Sequence, residues 1–404
     1  MKDRVYAAGL GVISAIGNSV AETLNSLRTS TSGIGPLTLF DSVHQKAVPV
    51  GEVKLSNTTL AKILSVSAGM PRTALLGIHA AREAVAHAEI DLKKWRTGFI
   101  SATTVGGMDH TETFMDQFRT DSRRGRLREV VNHSCGRSTE LIARDIGINR
   151  YVATVNTACS SSSNAISFAT RLIAADILDV AVAGGADALT KFTLNGFNSL
   201  MILDPMPCRP FDANRNGLNL GEGAGFVVLA SDRVKKAEGM AFRSYVNGYG
   251  NTNDAFHQTA SSPEGRGSFA AMKLAMEMGV LHPEDIDYIN LHGTGTFNND
   301  LSEGAAIARM FGNHPPKFSS TKSFTGHTLG ASGGIEAVFS LLAIDQQCVF
   351  PNLRFENPIP ELGISPQLHF ESGIHVDHVM SNSFGFGGNC SSIIFSRTKK
   401  QWKY

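Results

Sequence analysis

The chain has 404 residues, of which 42% are hydrophobic and 18% are charged, and its formal net charge is +1. This near-neutral balance argues against a nucleic-acid or polyanion binder as the main role. Its 40 glycines fall in short clusters, which is typical of many tight turns in a folded protein rather than of a fibre or a disordered chain.

Targeting and metal-binding signals are weak along the chain. No apolar run reaches the roughly 18–20 residues that cross a bilayer, and the N-terminus enters an apolar strand without a secretory apolar region. The five cysteines are widely spaced and form no CxxC pair, which predicts neither a disulfide framework nor a zinc site. We therefore expect a cytoplasmic protein with no metal and no membrane span.

Short apolar strands alternate with helices of small residues along the first half of the chain. In chain order, the predicted elements are strand 5–16, helix 19–28, helix 72–88, strand 98–104, helix 139–146, a strand from 151, helix 165–177, strand 179–185 and strand 226–230. Alternation of this kind predicts an α/β fold with largely parallel sheets that helices cover on both faces.

The second half repeats this plan. Helix 268–278 and strand 287–292 mirror the earlier helix and strand, a helix from 330 mirrors the one after Cys159, and residues 384–395 mirror 221–229. Three paired landmarks in the same order predict an internal duplication, with an interval far too long for a solenoid. We expect an N-terminal half at 1–240 that carries Cys159 and a C-terminal half at 241–404.

Cys159 follows the strand at 151–155 and precedes a helix, and Asn156 and Thr157 are good helix starters. At such a junction the helix dipole and free backbone N–H groups favour a thiolate. The competing interpretation is a small cysteine buried in a core helix, which is the more common fate of a lone cysteine.

Two histidines decide between these interpretations. His292 ends a strand and precedes a Gly-Thr-Gly-Thr turn, and His327 stands just before the mirrored small-residue helix. Open α/β sheets bind ligands at such edges. Each histidine alone is equally well explained as a buried, hydrogen-bonded residue. Together with Cys159 they form a nucleophile that can take an acyl group and two imidazoles that can stabilise an oxyanion or enolate, with Lys322 as a nearby charge.

Five motifs resemble those of the elongating β-ketoacyl-[acyl carrier protein] synthases, a family of condensing enzymes. They are Ala158-Cys159-Ser160-Ser161, Arg209-Pro-Phe-Asp, His292-Gly-Thr-Gly-Thr296, Lys322-Ser-Phe-Thr-Gly-His327 and Asn382-Ser-Phe384-Gly-Phe-Gly-Gly388. The resemblance covers nearly the whole chain. It implies the thiolase-like fold, an internally duplicated α-β-α-β-α five-layer sandwich, with substrates carried on the phosphopantetheine of acyl carrier protein and no cofactor of its own.

The resemblance also implies residue roles. Cys159 takes the acyl chain, His292 and His327 assist decarboxylation of malonyl-carrier protein, and Lys322 supports His327. The backbone N–H groups of Cys159 and Phe384 form the oxyanion hole. The family's remaining positions correspond here to substrate-binding Thr294, Thr296, Phe384, Val105, His257 and Thr259, and to structural Glu336 and Asp300 near the site.

Some residues depart from the family pattern. Phe297 stands where the family usually has proline, and the basic helix that docks carrier protein offers only Arg72 here. A basic run is the better docking candidate, although a solvated loop explains it equally well; the run contains Arg119, Arg123, Arg124, Arg126 and Arg128. The polar stretch Asn132-His-Ser-Cys135, near the expected dimer contact, favours a specialised polyene or polyketide-type lipid pathway over housekeeping fatty-acid elongation.

Three other functions remain open at this point. A non-catalytic chain-length-factor-like subunit shares the fold but typically lacks the cysteine, and such a subunit is also a candidate partner in a heterodimer, the alternative to a homodimer. A thiolase would use a second cysteine late in the chain, where Cys390 stands, but would lack the Lys322 and His327 motif. A priming synthase would have asparagine in place of His327.

Overall fold

The computed structural model describes residues 4–312 and 314–398. The strands within this part of the chain are β1 (Val5–Ser14), β2 (Ile34–Gly35), β3 (Val50–Gly51), β4 (Thr97–Ala102), β5 (Tyr151–Val155), β6 (Val180–Asp187), β7 (Gly223–Ser231), β8 (Ser244–Asn253), β9 (Tyr288–Asn290), β10 (Lys317–Ser319), β11 (Cys348–Val349), β12 (Glu371–Ser372), β13 (His378–Phe384) and β14 (Asn389–Arg397).

The helices surround these strands. They are α1 (Val20–Arg28), α2 (Asn57–Leu64), α3 (Arg72–Ala88), α4 (Met108–Thr120), α5 (Leu127–Val130), α6 (Cys135–Asp145), α7 (Ser161–Ala174), α8 (Lys191–Ser199), α9 (Asp232–Ala237), α10 (Arg266–Gly279), α11 (Phe297–Phe311), α12 (Lys322–Thr325) and α13 (Ser332–Gln346). None of the described helices is long and apolar enough to cross a membrane.

The main sheet has ten strands in the order β10-β9-β13-β14-β8-β1-β7-β6-β4-β5. The five strands of each half follow the same order from the outer edge of the sheet to its centre. This order is β5-β4-β6-β7-β1 in the first half and β10-β9-β13-β14-β8 in the second, so in each half it is the third, second, fourth, fifth and first strand in sequence. The two sets meet where three residues of β1 pair with three of β8. The predicted duplication is therefore visible in the topology, while the boundary at residue 240 stays a prediction.

Two helices form the layer between the two sets of strands. α13 packs on β7 of the first half and on β13 of the second, and α7 packs on β4 and β6 and against α13. α3 covers the other face of the first set, on β1 and β7, and α10 covers β8 and β14. This arrangement confirms the predicted α-β-α-β-α fold.

The prediction of largely parallel sheets is wrong, because the sheet is mixed. β4 is parallel to β5 and β6, and β9 is parallel to β10 and β13. The remaining pairs are antiparallel, including β13 with β14 and β6 with β7. A connection as short as the one between Phe384 and Asn389 can join only antiparallel neighbours, since a parallel crossover needs a dozen or more residues.

Glycines let the outer helices lie directly on the strands, at matching places in the two halves. A Cβ at Gly11 in β1 would lie 2.0 Å from the carbonyl oxygen of Ala80 in α3. A Cβ at Gly250 in β8 would lie 2.2 Å from the carbonyl oxygen of Ala271 in α10. Only glycine allows backbones to approach this closely.

The chemistry-bearing residues lie at one end of the sheet. Cys159 follows β5, His292 follows β9, His327 follows α12 just beyond β10, and Phe384 is the last residue of β13. These are the carboxyl ends of four strands, the place where open α/β sheets bind ligands. The fold therefore brings residues from both halves together.

Candidate active site

Cys159 lies in a tight turn between β5 and α7. The preceding residue, Ala158, has φ of +55°, a left-handed conformation that costs a non-glycine residue on the order of 1 kcal/mol. Hydroxyl groups hold the turn, since Ser160 Oγ donates to the Thr157 carbonyl at 2.7 Å and Ser161 Oγ donates to the Ala158 carbonyl at 2.5 Å. The sulfur is thereby fixed just before the first turn of α7.

The helix after Cys159 begins at Ser161, four residues earlier than the pattern predicts, and ends at Ala174. Asn156 and Thr157 do not cap it, because the residue before the helix is Ser160 and no side chain makes the capping hydrogen bond. The predicted helix is confirmed, but its start is set by the turn around Cys159 rather than by an asparagine or threonine cap.

The two histidines lie beside the sulfur. His327 Nε2 is 3.1 Å from Cys159 Sγ, and its Nδ1 is 2.9 Å from Ser332 Oγ. The His292 ring is edge-on to the His327 ring, with 5.3 Å between centroids. One atom from each of Cys159, His292 and His327 lies within 4.8 Å of the other two. The structure thus brings the predicted nucleophile and both imidazoles into one buried cluster.

A carboxylate that the sequence does not single out positions His292. Glu303 of α11 accepts hydrogen bonds from the backbone N–H groups of His292 and Gly293, at 2.9 and 2.8 Å. Burial raises the pKa of Glu303 to about 7, although these hydrogen bonds oppose the shift. The imidazole Nδ1 of His292 has no hydrogen-bond partner among the described residues. His292 is therefore held by its backbone, and its ring nitrogens remain available to a substrate.

Lys322 provides the fixed positive charge of the site. Its side chain is buried and forms an ion pair with Glu336 of α13. Burial and the Lys322 charge together hold the pKa of both His292 and His327 well below the usual range, so both rings are neutral near pH 7. Burial also raises the pKa of Glu336 to about 7, with Lys322 opposing the shift.

At Cys159, burial opposes the thiolate that the helix start favours. Burial raises the pKa of the Cys159 thiol to about 11, and the charge of Lys322 and the nearby backbone N–H groups only partly offset that effect. A neutral thiol facing a neutral imidazole at 3.1 Å means that His327 Nε2 accepts the S–H hydrogen bond. The position of Cys159 before a helix predicted a lowered thiol pKa, but that argument left out the removal of solvent from around the sulfur.

Backbone N–H groups also reach the sulfur, and those at Cys159 Sγ belong to Cys159 itself and to Phe386. The oxyanion hole predicted at Cys159 and Phe384 stays a prediction. Phe384 contributes its ring, which packs edge-on against His292 at 6.1 Å. The turn after β13 that contains Phe386 also contains Gly387, whose φ is +79°.

A cavity of about 250 Å³ leads from the surface to this cluster. Thr259, Thr294, Thr296 and Phe384 line it, as predicted, together with aromatic and aliphatic side chains from α8 and the turn after β13. Phe197 and Phe386 are stacked in its wall, with ring centroids 6.0 Å apart. The cavity wall therefore combines polar hydroxyls with apolar rings.

Two predicted cavity residues lie elsewhere. Val105 is buried in an apolar cluster with Leu218 and lies outside the cavity lining. His257 is exposed, and its Nδ1 accepts a hydrogen bond from the Thr259 N–H at 3.2 Å. Neither residue lines this cavity, and the substrate-binding roles predicted for Val105 and His257 stay predictions.

Comparison with known proteins agrees with this geometry. The β-ketoacyl synthase N-terminal domain matches residues 2–234, and the β-ketoacyl synthase C-terminal domain matches residues 243–356. The chain belongs to the β-ketoacyl synthase family. The cluster of Cys159, His292 and His327 is thus the buried centre of a β-ketoacyl synthase.

Full-length relatives and solved structures extend this result. The 3-oxoacyl-[acyl-carrier-protein] synthase 2 of Staphylococcus aureus strain COL is 34% identical over 406 residues, covering 98% of each chain. The ishigamide ketosynthase/chain length factor superposes with a TM-score of 0.92 at 30% identity, over 98% of this chain and 100% of that one. A ketosynthase in complex with its chain length factor from Xenorhabdus doucetiae gives 0.85 at 30% identity, over 98% of each.

Within this β-ketoacyl synthase, Arg72 is not a docking residue. Its side chain is 5% exposed, and its guanidinium donates to Glu222 through Nε at 2.7 Å and Nη2 at 2.6 Å. It also donates to the carbonyls of Leu55 and Val53. The positive charge of Arg72 is therefore used in an internal ion pair, and the prediction that Arg72 contacts carrier protein is wrong.

The other predicted docking residues remain at the surface. Arg119, Arg123, Arg124, Arg126 and Arg128 are all exposed, on and between α4 and α5. Arg123 and Arg124 pair with Asp121, and Arg126 and Arg128 line a cleft of about 810 Å³ that also contains acidic side chains. The surface is accessible, but its charge is mixed.

Asp300 and Glu336, both predicted to be structural, are buried near the site. Asp300 is fully buried and accepts hydrogen bonds from the backbone N–H groups of Phe211 at 2.7 Å and Gly295 at 3.2 Å. It thus ties the Arg209-Pro-Phe-Asp segment to the turn after His292. Sequence reasoning missed Glu303, Ser332 and Phe386, all of which lie within or next to the quoted motifs and could be found only by spatial position.

Proposed function

We propose that this protein is a 3-oxoacyl-[acyl carrier protein] synthase that extends an acyl chain held on Cys159 with malonyl units from acyl carrier protein. The observation that carries the proposal is the 3.1 Å contact between Cys159 Sγ and His327 Nε2, with His292 at the same cavity end. Membership of the β-ketoacyl synthase family and the similarity to the 3-oxoacyl-[acyl-carrier-protein] synthase 2 of S. aureus support it.

In the first half-reaction the Cys159 thiol attacks the carbonyl carbon of an acyl thioester on the carrier. His327 Nε2 accepts the thiol proton while its Nδ1–H donates to Ser332 Oγ. We assign stabilisation of the tetrahedral oxyanion to the N–H groups of Cys159 and Phe386, because these are the backbone donors beside the reacting sulfur. The bond from carbon to pantetheine sulfur then breaks, and the proton passes from Nε2 to that leaving sulfur.

In the second half-reaction malonyl-carrier protein enters the vacated cavity. Its carboxylate leaves as CO₂, and the electron pair of the broken C–C bond passes to an enolate whose oxygen accepts hydrogen bonds from neutral His292 and His327. His327 can now donate from Nε2, because the Ser332 hydroxyl can also donate to Nδ1. The enolate carbon attacks the Cys159 thioester, and the released sulfur takes up a proton.

Decarboxylation of malonyl-carrier protein without an acyl donor tests this proposal. The protein is expected to release CO₂, and His292→Ala is expected to lower that rate about 100-fold or more, since one donor to a developing oxyanion contributes that much. Cys135→Ser, a change at a partly buried cysteine outside the cluster, is the matched control and should release CO₂ normally. Undiminished release by His292→Ala would argue against the proposed role of that residue.

The structure is less consistent with a chain-length-factor-like subunit or a thiolase. A chain-length-factor-like subunit needs no nucleophile, whereas this chain has its cysteine hydrogen-bonded to a histidine in a cavity. A thiolase needs a second reactive cysteine, but Cys390 Sγ points to the Gly388 carbonyl at 3.5 Å and lies outside the cluster. Both observations favour the condensing enzyme.

The partners follow from the same proposal. Acyl carrier protein is expected to contact the basic run that includes the exposed Arg123 and Arg124. Arg123→Glu with Arg124→Glu should raise KM for carrier-borne substrates several-fold and leave KM for coenzyme A thioesters unchanged. An unchanged KM for both would place docking elsewhere.

We also expect a dimer that forms along β5. This strand is the last of the ten-stranded sheet, and Val152 on it is exposed. An open apolar edge of this kind is a template for another chain. The relative in complex with its chain length factor supports a heterodimer as the alternative to a homodimer. Sedimentation of the purified chain as a monomer, alone and with such a subunit, would contradict both.

The specialised lipid pathway and the cytoplasmic location remain expectations. The two superposed structures are named a ketosynthase/chain length factor and a ketosynthase with its chain length factor, which supports a specialised pathway. The polar Asn132-His-Ser-Cys135 stretch points the same way, since it departs from the apolar sequence of fatty-acid enzymes. Mass spectrometry of the chain carried by Cys159 after expression with its own carrier protein would decide the pathway.

A further inference from the structure

Asn389 lies beside two turns that both reach the reactive sulfur. The Cys159 turn is residues 157–160, between β5 and α7, and the Phe386 turn is residues 385–388, between β13 and β14. The two turns lie against each other, because a Cβ at Gly385 would be 3.1 Å from the Cys159 backbone nitrogen. They come from different halves of the chain, so their spacing depends on contacts between the halves.

The side chain of Asn389 is bonded to the Cys159 turn. Its Oδ1 accepts hydrogen bonds from Ser160 Oγ at 2.6 Å and from Asn164 Nδ2 at 2.9 Å. Ser160 follows Cys159 directly, and Asn164 lies in the first turn of α7. A third hydrogen bond, from Asn251 Nδ2 of β8 at 2.9 Å, fixes the Asn389 amide in this orientation.

The backbone of Asn389 is bonded to the Phe386 turn. The Asn389 carbonyl accepts a hydrogen bond from the Gly385 N–H at 2.8 Å and so closes this turn. Asn389 is also the first residue of β14, where it pairs with Asn253 of β8. One residue that is anchored in the sheet therefore contacts both turns, the first through its side chain and the second through its carbonyl.

We propose that Asn389 is a positioning residue for acyl transfer and that it sets the distance between the Cys159 and Phe386 N–H groups. A donor stabilises an oxyanion only when it lies about 2.7–3.1 Å from the place where that oxygen forms. The proposal rests on the proposed function, which assigns the tetrahedral oxyanion to these two donors. The enolate is assigned to His292 and His327 instead, and the hydrogen bonds of Asn389 go to neither ring.

Asn389→Leu tests the proposal, because leucine keeps the branched shape but accepts no hydrogen bond. The carbonyl at this position is retained, so only the link to the Cys159 turn is cut. The acylation rate of Cys159 at saturating hexanoyl-pantetheine, followed by intact mass, is expected to fall about tenfold or more. The thioester concentration that gives half of this rate should not change, because the lost contact acts in the transition state.

The second half-reaction provides the comparison. Decarboxylation of malonyl-carrier protein without an acyl donor should keep its original rate in Asn389→Leu, because the two histidines serve that step. Asn247→Leu is the matched control. It makes the same exchange on β8, where Asn247 has one hydrogen bond of 3.4 Å to the Gly279 carbonyl, and it should leave both rates unchanged.

Asn389→Leu is expected to fold, because each donor that loses Asn389 has a second acceptor. Ser160 Oγ also donates to the Thr157 carbonyl at 2.7 Å. Asn164 Nδ2 donates to Thr157 Oγ1 at 2.9 Å, and Asn251 Nδ2 donates to Asn164 Oδ1 at 2.9 Å. Ser160→Ala removes the same link from the other turn and should show the same selective loss. The double variant should acylate no more slowly than the slower single variant, because both changes remove one contact.

Each other outcome has a distinct meaning. Equal losses in acylation and decarboxylation would overturn the proposal, because they would reflect a general disturbance of the site. Unchanged acylation in Asn389→Leu would also overturn it. A loss that appears only as a higher half-saturating concentration would overturn it too and would assign Asn389 to binding of the thioester. Failure of the unaltered protein to acylate Cys159 would instead contradict the proposed function itself.

Discussion

At the scale of single residues, the reactive sulfur depends on its neighbour rather than on its own acidity. The thiol of Cys159 is buried, its pKa is raised to about 11, and the N–H groups around it do not reverse that shift. His327, whose pKa lies well below the usual range, is neutral and 3.1 Å away. The pair therefore reacts by proton transfer from sulfur to imidazole during attack, not through a standing thiolate.

This arrangement predicts a flat pH dependence for loading of Cys159. His327 loses its acceptor only when it is protonated, and its lowered pKa moves that loss from the ordinary 6.5 to well below it. The thiol stays protonated until the pH approaches its raised pKa of about 11. The loading rate by hexanoyl-pantetheine should therefore change little between about pH 6.5 and pH 9.

Quenched-flow loading followed by intact mass gives this profile, with Cys135→Ser as a control for reaction at a second cysteine. An acid limb with a midpoint near 6.5 would mean that His327 has an ordinary pKa. A tenfold rise per pH unit that levels off near 8.5 would mean that free thiolate is the reacting species. Either result would contradict the neutral pair.

The sequence was sufficient to find the residues that carry the chemistry, but not their roles in detail. Cys159, His292, His327 and Lys322 stand in motifs that could be recognised by type and spacing. The Phe384-Gly-Phe386 segment contains two phenylalanines whose backbone N–H groups could face Cys159. Only the structure shows that the N–H of Phe386 reaches the sulfur. Arg72 looks like any surface arginine until its pairing with Glu222 is seen.

At the scale of elements, the helices could be predicted more closely than the sheet. Helices α1, α3 and α10 fall within a few residues of their predicted ranges, because apolar spacing and caps such as Ser19 are local signals. The relative direction of two paired strands is not set by local sequence. Whether β7 runs parallel or antiparallel to β6 depends on the path of the chain between these two strands, and no residue pattern within either strand predicts it.

Close contact between strand and helix at Gly11 predicts a strong effect of a single methyl group. Gly11→Ala would place a Cβ 2.0 Å from the Ala80 carbonyl oxygen, so β1 and α3 must move apart. Overpacking of this kind costs about 1–3 kcal/mol. Chemical denaturation should show this loss in the free energy of unfolding.

Gly35→Ala is the matched control for that change, because a Cβ at Gly35 would meet nothing within 4 Å. It should leave the free energy of unfolding within about 0.5 kcal/mol of the original value. If Gly11→Ala is as stable as Gly35→Ala, then the approach of β1 to α3 is not as tight as the structure shows.

At the scale of the whole molecule, the duplicated fold explains why the active site needs both halves. The first half supplies the turn with Cys159, and the second supplies His292, His327 and the turn with Phe386. α7 and α13 pack against each other between the two sets of strands, and these two helices begin next to Cys159 and His327. The repeat was visible in the sequence as paired landmarks, but the meeting of the two halves at one cavity was visible only in the structure.

The central claim is that Cys159 accepts the acyl chain. Incubation with hexanoyl-carrier protein, digestion and mass spectrometry of the peptide that contains residue 159 tests it most directly. We predict that this peptide gains the mass of one hexanoyl group and loses it when malonyl-carrier protein is added, while Cys159→Ala gains none. A hexanoyl adduct that persists in Cys159→Ala would contradict the account.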